Sequence, residues 1–305
     1  MNTTAEPRRK ERIDRGIKVR TEGLYALMSW KELSYLIAPR FILIAGLLLL
    51  PLVVPGMYWQ RVIAIVCIYA LLAVGFDFLA HYVGLVSLGG AFFVGVGGYF
   101  TALLNTEWGF SPLIAIPAAA ILGGILCTVL LLPCLPLRGV YFAIVTLMYP
   151  LFLARVIEAL DILGGTDGIM GIDSLPYAWM EKYGVIVSLL VVLFAMRRLV
   201  NTDHGLVMRA VKDNDQAVRA SGISVTRYKA IAVFIAAAVG CLAGAFIVHT
   251  YMWAGISTFA LDFSVLPIAA TVIGGGGTLV GPVLGCLILV PISELLRDFG
   301  TLRIV

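Results

Sequence analysis

Long apolar runs, separated by short polar segments, fill the chain after residue 40. Eight stretches contain no Asp, Glu, Lys or Arg, namely residues 41–60, 62–76, 78–106, 108–137, 139–154, 183–196, 230–261 and 263–293. Unpaired backbone groups are too costly in lipid, so a segment of such a run that crosses a bilayer must be helical. About 20 apolar residues are enough for one crossing, and the longer runs can hold a helix plus a turn or re-entrant piece. The pattern therefore predicts an all-α polytopic membrane protein with about eight or nine transmembrane or re-entrant helices.

The composition excludes a soluble globular enzyme. Of the 305 residues, 61% are hydrophobic and 13% are charged, whereas roughly 25% of the residues of a typical soluble domain are charged. So many apolar residues cannot be hidden in a single water-facing core, and the solvent around most of the chain must be lipid. The net charge of +4 is modest and does not indicate a nucleic-acid partner.

Charge divides the chain into segments and predicts their sides of the membrane. Residues 1–40 contain nine basic and five acidic residues and are predicted to be a cytoplasmic N-terminal tail. Apolar positions between Leu24 and Ile37 suggest a short interfacial helix in this tail, although a tail that packs nowhere fits the pattern equally well. The remaining residues, 41–305, form the predicted transmembrane domain.

Two polar interruptions break that domain. Residues 158–182 contain five acidic residues against one lysine and are predicted to be a periplasmic loop. The interval 197–229 contains seven basic and three acidic residues, so the loop at 201–229 is predicted to be cytoplasmic. Counting spans from a cytoplasmic N-terminus places both loops on these same sides.

The sequence contains no recognisable catalytic, cofactor or metal-binding motif. It has no H-E-x-x-H, G-x-S-x-G or C-x-x-C pattern, and its five cysteines all fall within apolar stretches. The glycine run Gly274–Gly277 lacks the lysine of a nucleotide-binding P-loop. We therefore expect no enzymatic activity, cofactor or metal, and ATP-driven transport would need a separate ATPase subunit.

Ionisable residues inside the apolar runs are few. Asp77 lies close to a predicted cytoplasmic helix end, which favours a helix-end cap or an ion pair with a partner subunit over a coupling-ion site. A proton- or sodium-coupled carrier usually has several carboxylates near the membrane midplane. The scarcity of such carboxylates here argues against an ion-coupled secondary transporter, which is the alternative from a different class.

The basic loop contains a predicted short helix. Small apolar residues form one face of it, Gly222 is placed to end it, and charged residues cover the rest. The apolar face consists of Ala210, Val211, Ala217, Val218 and Ala220. Such a helix, held between two spans, can dock into a groove of a cytoplasmic partner, but a solvated loop helix has the same spacing.

Four segments together resemble the LivM-like permease subunit of bacterial ABC importers for branched-chain amino acids. They read YALLAVGFDFLAHYVGLVSLGGAFFVGVGGYFTALL from Tyr69, LRGVYFAIVTL from Leu137, RAVKDNDQAVRASGISVTRYKAIAVF from Arg209 and IGGGGTLVGPVLG from Ile273. The resemblance implies an ABC importer permease fold in the bacterial inner (cytoplasmic) membrane, with a cytoplasmic N-terminus. It also implies three kinds of partner: two cytoplasmic ABC ATPase subunits, a second homologous permease subunit and a periplasmic solute-binding protein.

The resemblance also implies roles for particular residues. In such permeases an E-A-A pattern followed by Gly forms the coupling helix that contacts the ATPase, and the matching positions here are Asp215, Gln216, Ala217, Val218 and Gly222. Small and hydroxyl residues of the Gly-rich segments are candidates for lining half of a path for branched-chain or related amino acids. These candidates are Ser87, Gly89, Gly90, Thr146, Thr271, Gly275 and Thr278.

This chain departs from the family pattern at two places. Gly90 stands where the family has the histidine of S-L-G-H-A, so no role of that histidine carries over. The family continues beyond E-L-L-R with a further hydrophobic helix, whereas only eight residues follow Arg297 here. Within the importer class, urea or short amides are an alternative substrate, because the binding protein usually sets the selectivity.

Overall fold

The computed structural model describes residues 45–52, 56–137 and 139–296. The predicted tail at 1–40, with its interfacial helix, lies outside the described residues, as do residues 297–305. Residues 45–52 are helical. The α-helices that follow are α1 (Met57–Asp77), α2 (Gly90–Thr106), α3 (Pro112–Leu131), α4 (Val140–Leu160), α5 (Ala178–Val200), α6 (Asp203–Asp213), α7 (Asp215–Ala220), α8 (Val225–Tyr251), α9 (Asp262–Gly274) and α10 (Gly281–Leu296).

The predicted all-α polytopic class is confirmed. Six segments of the described chain are long and apolar enough to cross a membrane: Tyr58–Val83, Pro112–Cys134, Val140–Leu160, Trp179–Val200, Val225–Tyr251 and Ile256–Gly274. The apolar helices α2 and α10 are shorter, with 17 and 16 residues. In the described residues, β-type pairing is limited to one isolated antiparallel bridge between Ile169 and Ala254.

Helices α1 and α8 form the centre of the bundle. Most of the apolar window of each is buried, 83% for α1 and 72% for α8. Helix α8 packs against α1, α2 and α3, while α9 and α10 pack against each other and against α1. Helix α4 is peripheral, and its exposed Tyr141 and Phe152 side chains are suited to contact with lipid.

Glycines bring two pairs of helices into backbone contact. A Cβ atom at Gly97 of α2 would overlap the backbone of Cys241 in α8, and one at Gly244 of α8 would overlap Val94 in α2. The same holds for Gly285 of α10, where a Cβ would overlap the backbone of α9. Only glycine lets two helix backbones approach so closely.

The two polar loops lie at opposite ends of the 23-residue helix α5. We refer to the end that carries α6 and α7 as the α6–α7 face, and to the end that carries the loop at 161–177 as the opposite face. Exposed aromatic side chains, among them Trp108, Tyr177 and Trp179, lie near the opposite face. Such residues are typical of the boundary between lipid and water.

Candidate functional site

The basic loop folds into two helices, α6 and α7, where the sequence predicted one. The break is at Asn214, whose backbone is extended and whose side-chain Oδ1 accepts hydrogen bonds from the N–H groups of Gln216 and Ala217, both at 3.1 Å. Asparagine is a favoured N-cap because it satisfies donors that have no partner in the first turn. Helix α7 ends as predicted before Gly222, which has a φ of +78°.

The residues of the predicted apolar face of this loop do not all lie on one side, because some are buried and others are exposed. Val211 and Val218 are buried in a small cluster with Val225, which fixes α7 against the start of α8. Ala217 and Ala220 are exposed instead, beside the exposed Gln216 and Arg219. Helix α7 therefore has a packed side and an open side, and the open side consists of small residues that another protein surface can approach closely.

Helix α6 contacts the end of the first long span. There the chain leaves α-helical geometry and forms a π-helical turn, Phe78–Val83. Lys212 Nζ donates a hydrogen bond of 2.8 Å to the His81 carbonyl oxygen, and the Arg209 guanidinium lies 5.2 Å from the centre of the Tyr82 ring. π-helical turns occur frequently at functional sites.

The Gly-rich loop between α9 and α10 wraps around the carboxylate of Asp77. Left-handed φ values alternate along it, +91° at Gly275, +84° at Gly277 and +62° at Leu279. Alternating backbone of this kind turns successive N–H groups toward one concave side, where an anion can bind. The anion here is Asp77, which is fully buried and whose Oδ1 and Oδ2 accept from the N–H groups of Gly277 (2.6 Å) and Leu279 (3.0 Å).

Two further contacts complete this cluster. His81 Nδ1 lies 2.8 Å from Asp77 Oδ1, and the Tyr82 hydroxyl donates to the Gly277 carbonyl oxygen at 2.7 Å. Asp77 thus has three hydrogen-bonding partners within its own chain. The sequence placed Asp77 at a helix end but gave no signal for these partners, because Gly277 is 200 residues away.

Four of the predicted pathway residues meet at the start of α2. The Thr146 hydroxyl accepts from the Leu88 N–H at 3.0 Å, and the Ser87 hydroxyl accepts from the Gly89 N–H at 3.3 Å. Both side chains are buried, and they satisfy donors that precede the first turn of the helix. Gly90 packs against α9, where a Cβ would lie 2.5 Å from the Phe263 carbonyl oxygen.

Ser264 of α9 belongs to the same group but was missed by sequence reasoning. Its hydroxyl accepts from the Ala91 N–H at 2.9 Å and its side chain is buried. A serine inside an apolar run has no spacing that distinguishes it. A cavity of about 20 Å³, large enough for one water molecule, lies beside Ser87 and Gly90 and reaches α1 and α8.

The other three pathway candidates lie in and before the Gly-rich loop. Thr271 is buried, and its hydroxyl donates to the Pro267 carbonyl oxygen at 2.8 Å. Gly275 and Thr278 are exposed, and the Thr278 hydroxyl accepts from the Gly281 N–H at 2.9 Å. The predicted residues therefore form two groups, one at the start of α2 and one around the Gly-rich loop.

A separate polar cluster fastens the loop at 161–177 to the bundle on the opposite face. Asn105 of α2 exchanges two hydrogen bonds with Asp173, at 2.8 and 3.1 Å. His249, buried near the end of α8, lies between the Asp173 carbonyl oxygen (2.8 Å) and the Thr101 hydroxyl (3.0 Å). Among the described residues, no group of three or more His, Cys, Asp and Glu is placed to hold a metal ion.

Comparisons with known proteins give a consistent result. A family model described as "Branched-chain amino acid transport system / permease component" matches residues 58–302. The chain is 28% identical to the "High-affinity branched-chain amino acid transport system permease protein LivM" of Salmonella typhimurium, over 90% of this chain and 75% of the relative. The Escherichia coli protein of the same name is also 28% identical, over 88% and 75%.

A more distant relative comes from an archaeon. The "Probable branched-chain amino acid transport permease protein LivM" of Methanocaldococcus jannaschii is 27% identical, over 72% of this chain and 71% of the relative. No solved structure matches the chain.

Proposed function

Because the chain belongs to the family of permease components of branched-chain amino acid transport systems, we propose that it forms half of the translocation pathway of an ATP-driven importer. The substrate we propose is a branched-chain or related amino acid, as the names of its relatives indicate. The observation that carries the proposal is α7. This short helix is fixed on one side by Val218 and presents small exposed residues on the other.

Helix α7 is the proposed contact with the ATPase. Ala217 and the neighbouring Gln216 lie on its open side, where small side chains let a groove of the partner approach the helix backbone. Asp215 begins the helix and Gly222 ends it, so these residues set its length. ATP binding and hydrolysis in two such subunits would move α7 and switch the pathway between outward and inward access.

The charge distribution supports a cytoplasmic α6–α7 face in the bacterial inner membrane. Exposed basic side chains surround this face, namely Arg197, Arg198, Arg209, Lys212, Arg219 and Arg227. Acidic residues dominate the loop at 161–177 on the opposite face. Under the positive-inside rule this difference places α6 and α7 in the cytoplasm, together with the N-terminus. The solute-binding protein would then dock on the opposite face.

The second half of the pathway would come from a homologous permease subunit. In our proposal the two groups of small and hydroxyl residues, around Ser87 and around Thr278, face that subunit when solute passes. An ion-coupled carrier is not favoured, because Asp77 already binds three donors of its own chain. Urea and short amides are likewise not favoured, since the relatives carry names of branched-chain amino acid permeases.

The test is purification of the assembled complex through this chain, followed by reconstitution with its binding protein. Ala217→Arg places a long charged side chain on the open side of α7, and we expect it to release the ATPase or to abolish stimulation of ATP hydrolysis by the loaded binding protein. Ala195→Arg introduces the same side chain at an exposed position of α5, near its α6–α7 end but outside α7, and serves as the control. Leucine, isoleucine, valine, urea and acetamide are compared as ligands.

The outcomes separate the alternatives. Stimulation by a branched-chain amino acid, lost in Ala217→Arg and kept in Ala195→Arg, supports the proposal. Stimulation by urea or acetamide alone refutes the proposed substrate. If no ATPase co-purifies under mild extraction, or if Ala217→Arg transports normally, α7 is not the coupling helix and the proposal fails.

A further inference from the structure

We propose that Asp77 and Tyr82 are positioning residues that tie the Gly-rich loop at 274–280 to α6, so that movement of α6 displaces the α9–α10 pair. This inference rests on the proposed function, in which the ATPase moves α7. Helix α6 follows α7 because Val211 of α6 and Val218 of α7 pack in one buried cluster. It assigns the route by which that movement enters the membrane-spanning helices. Three consecutive sets of contacts connect α6 to α9 and α10.

The first set joins α6 to the π-helical turn. Lys212 is held at both ends of its side chain, because Nζ donates to the His81 carbonyl oxygen and the stem lies against Gly84. A Cβ at Gly84 would lie 2.9 Å from Lys212 Cγ, so a side chain at this position would push α6 away. The Arg209 guanidinium over the Tyr82 ring adds a second contact one turn earlier on α6.

The second set joins the π-helical turn to the Gly-rich loop. Gly277 is bound on both sides of its backbone, since its N–H donates to Asp77 and its carbonyl oxygen accepts from Tyr82. Leu279 donates to the other oxygen of Asp77. With three hydrogen bonds between the two segments, the loop must follow when the end of α1 moves.

The third set joins the loop to α9 and α10. Gly274 at the end of α9 meets Gly281 at the start of α10 so closely that a Cβ at either residue would overlap the other segment. Thr278 bridges the same two segments, because its hydroxyl donates to the Gly275 carbonyl oxygen and accepts from the Gly281 N–H. Packed backbones transmit displacement with little loss, so the two helices move as a pair.

Two features allow the Gly-rich loop and the end of α1 to adopt a second arrangement. Leu279 has a left-handed backbone, which is unfavourable for leucine and is held here by the hydrogen bond to Asp77. If Asp77 withdraws, the loop gains a more favourable backbone conformation. The cavity of about 20 Å³ beside α1, lined by Gly75, Leu79 and Ser87, leaves room for a shift at the end of that helix.

The test compares Asp77→Asn and Tyr82→Phe with wild type in the complete reconstituted complex. Asparagine keeps the size of the side chain but places an amide donor opposite a backbone N–H, and phenylalanine removes only the hydroxyl that donates to Gly277. Tyr149→Phe is the matched control, because it removes a tyrosine hydroxyl that also donates to a backbone carbonyl oxygen at 2.7 Å, that of Leu130, in a contact between α4 and α3 that lies outside the segments connecting α6 to α9 and α10.

Two quantities are measured. The first is the amount of solute transported per ATP hydrolysed. We expect it to fall about fivefold or more in Asp77→Asn, because fivefold is the lower end of the effect that one coupled site usually has on another. The second is the distance between spin labels on cysteines introduced at Val129 and Val272, two exposed positions near the ends of α3 and α9. Cys134, which is partly exposed, is replaced by serine so that it is not labelled. In wild type this distance should change when the complex is trapped with ATP and vanadate. The change should be lost in Asp77→Asn and reduced in Tyr82→Phe, which keeps the two hydrogen bonds between Asp77 and the loop.

A purely structural role would lower the amount of folded complex but leave both quantities unchanged in the complex that assembles. If both variants keep the wild-type distance change and transport ratio, the inference is overturned. Should Asp77→Asn fail to assemble, Tyr82→Phe decides alone, since it leaves the carboxylate in place. Loss of ATPase binding in Ala217→Arg is measured in parallel, so that a failure of this inference is distinguished from a failure of the proposed function.

Discussion

The stability of α7 depends on Asn214, and replacing this residue should unfold the helix locally. Helix α7 has six residues, whereas isolated helices shorter than about 12–15 residues are marginal in water. Only Val218 of these six is buried. The cap at Asn214, which binds two N–H groups, is therefore a large part of what keeps the helix ordered.

The expected loss of helix stability is that of a removed N-cap. Replacing an asparagine N-cap by alanine typically costs about 1 kcal/mol. That corresponds to an increase of about fivefold in the local opening equilibrium, since RT ln 5 is about 1 kcal/mol. Asn214→Ser keeps a side-chain acceptor of comparable capping strength and should stay close to wild type.

Hydrogen exchange of the backbone amides at 216–222, measured by mass spectrometry in lipid nanodiscs, reports this opening directly. We expect exchange to be about fivefold faster in Asn214→Ala, with little change in α8, where the central packing is unaffected. Binding-protein-stimulated ATP hydrolysis should fall in the same variant. Equal exchange rates in the alanine, serine and wild-type chains would refute the reasoning, because α7 would then be held by something other than its cap.

Two further predictions concern packing and buried hydroxyls. Gly244→Ala should destabilise the bundle by about 1–3 kcal/mol, because the added methyl overlaps Val94; Gly184→Ala, which meets only Phe246 at 3.6 Å, is its control in thermal melts in detergent. Thr146→Val leaves the partly buried Leu88 N–H without its acceptor and should cost about 1 kcal/mol, whereas Thr146→Ser should restore most of it. If the melting temperature is unchanged in Gly244→Ala or in Thr146→Val, the stabilising role assigned to the corresponding contact is wrong.

The helical elements could be predicted because lipid imposes one rule on every span. Long runs without charge located α3, α5 and α8 but missed their ends by four to ten residues, as at Tyr251, where α8 ends ten residues before its run does. Gly222 gave the end of α7. The break at Asn214 was missed because asparagine is tolerated inside a helix and its capping geometry depends on the backbone around it. Local sequence patterns thus identified the helices better than the break between α6 and α7.

Contacts between distant segments could not be predicted. Asp77 was recognised as an unusual residue, but its acceptor role depends on left-handed backbone at Gly277 and Leu279, far along the chain. Nothing in the spacing of the glycine run Gly274–Gly277 indicated that its loop binds a carboxylate. The π-helical turn Phe78–Val83 was equally invisible, since its residues continue the apolar pattern of α1.

The distance along the chain between Asp77 and its loop also affects how the protein is made. Ribosomes add about 5–20 residues per second, so Gly277, 200 positions later, is synthesised about 10–40 s after Asp77. Throughout that interval the carboxylate lacks the backbone donors that later surround it, and entering lipid without them is costly. The end of α1 must therefore wait at the membrane surface or be shielded by the insertion machinery until α9 and α10 arrive. A chain interrupted before residue 277 would lack both backbone donors and would leave His81 as the remaining partner of this carboxylate among the contacts described above.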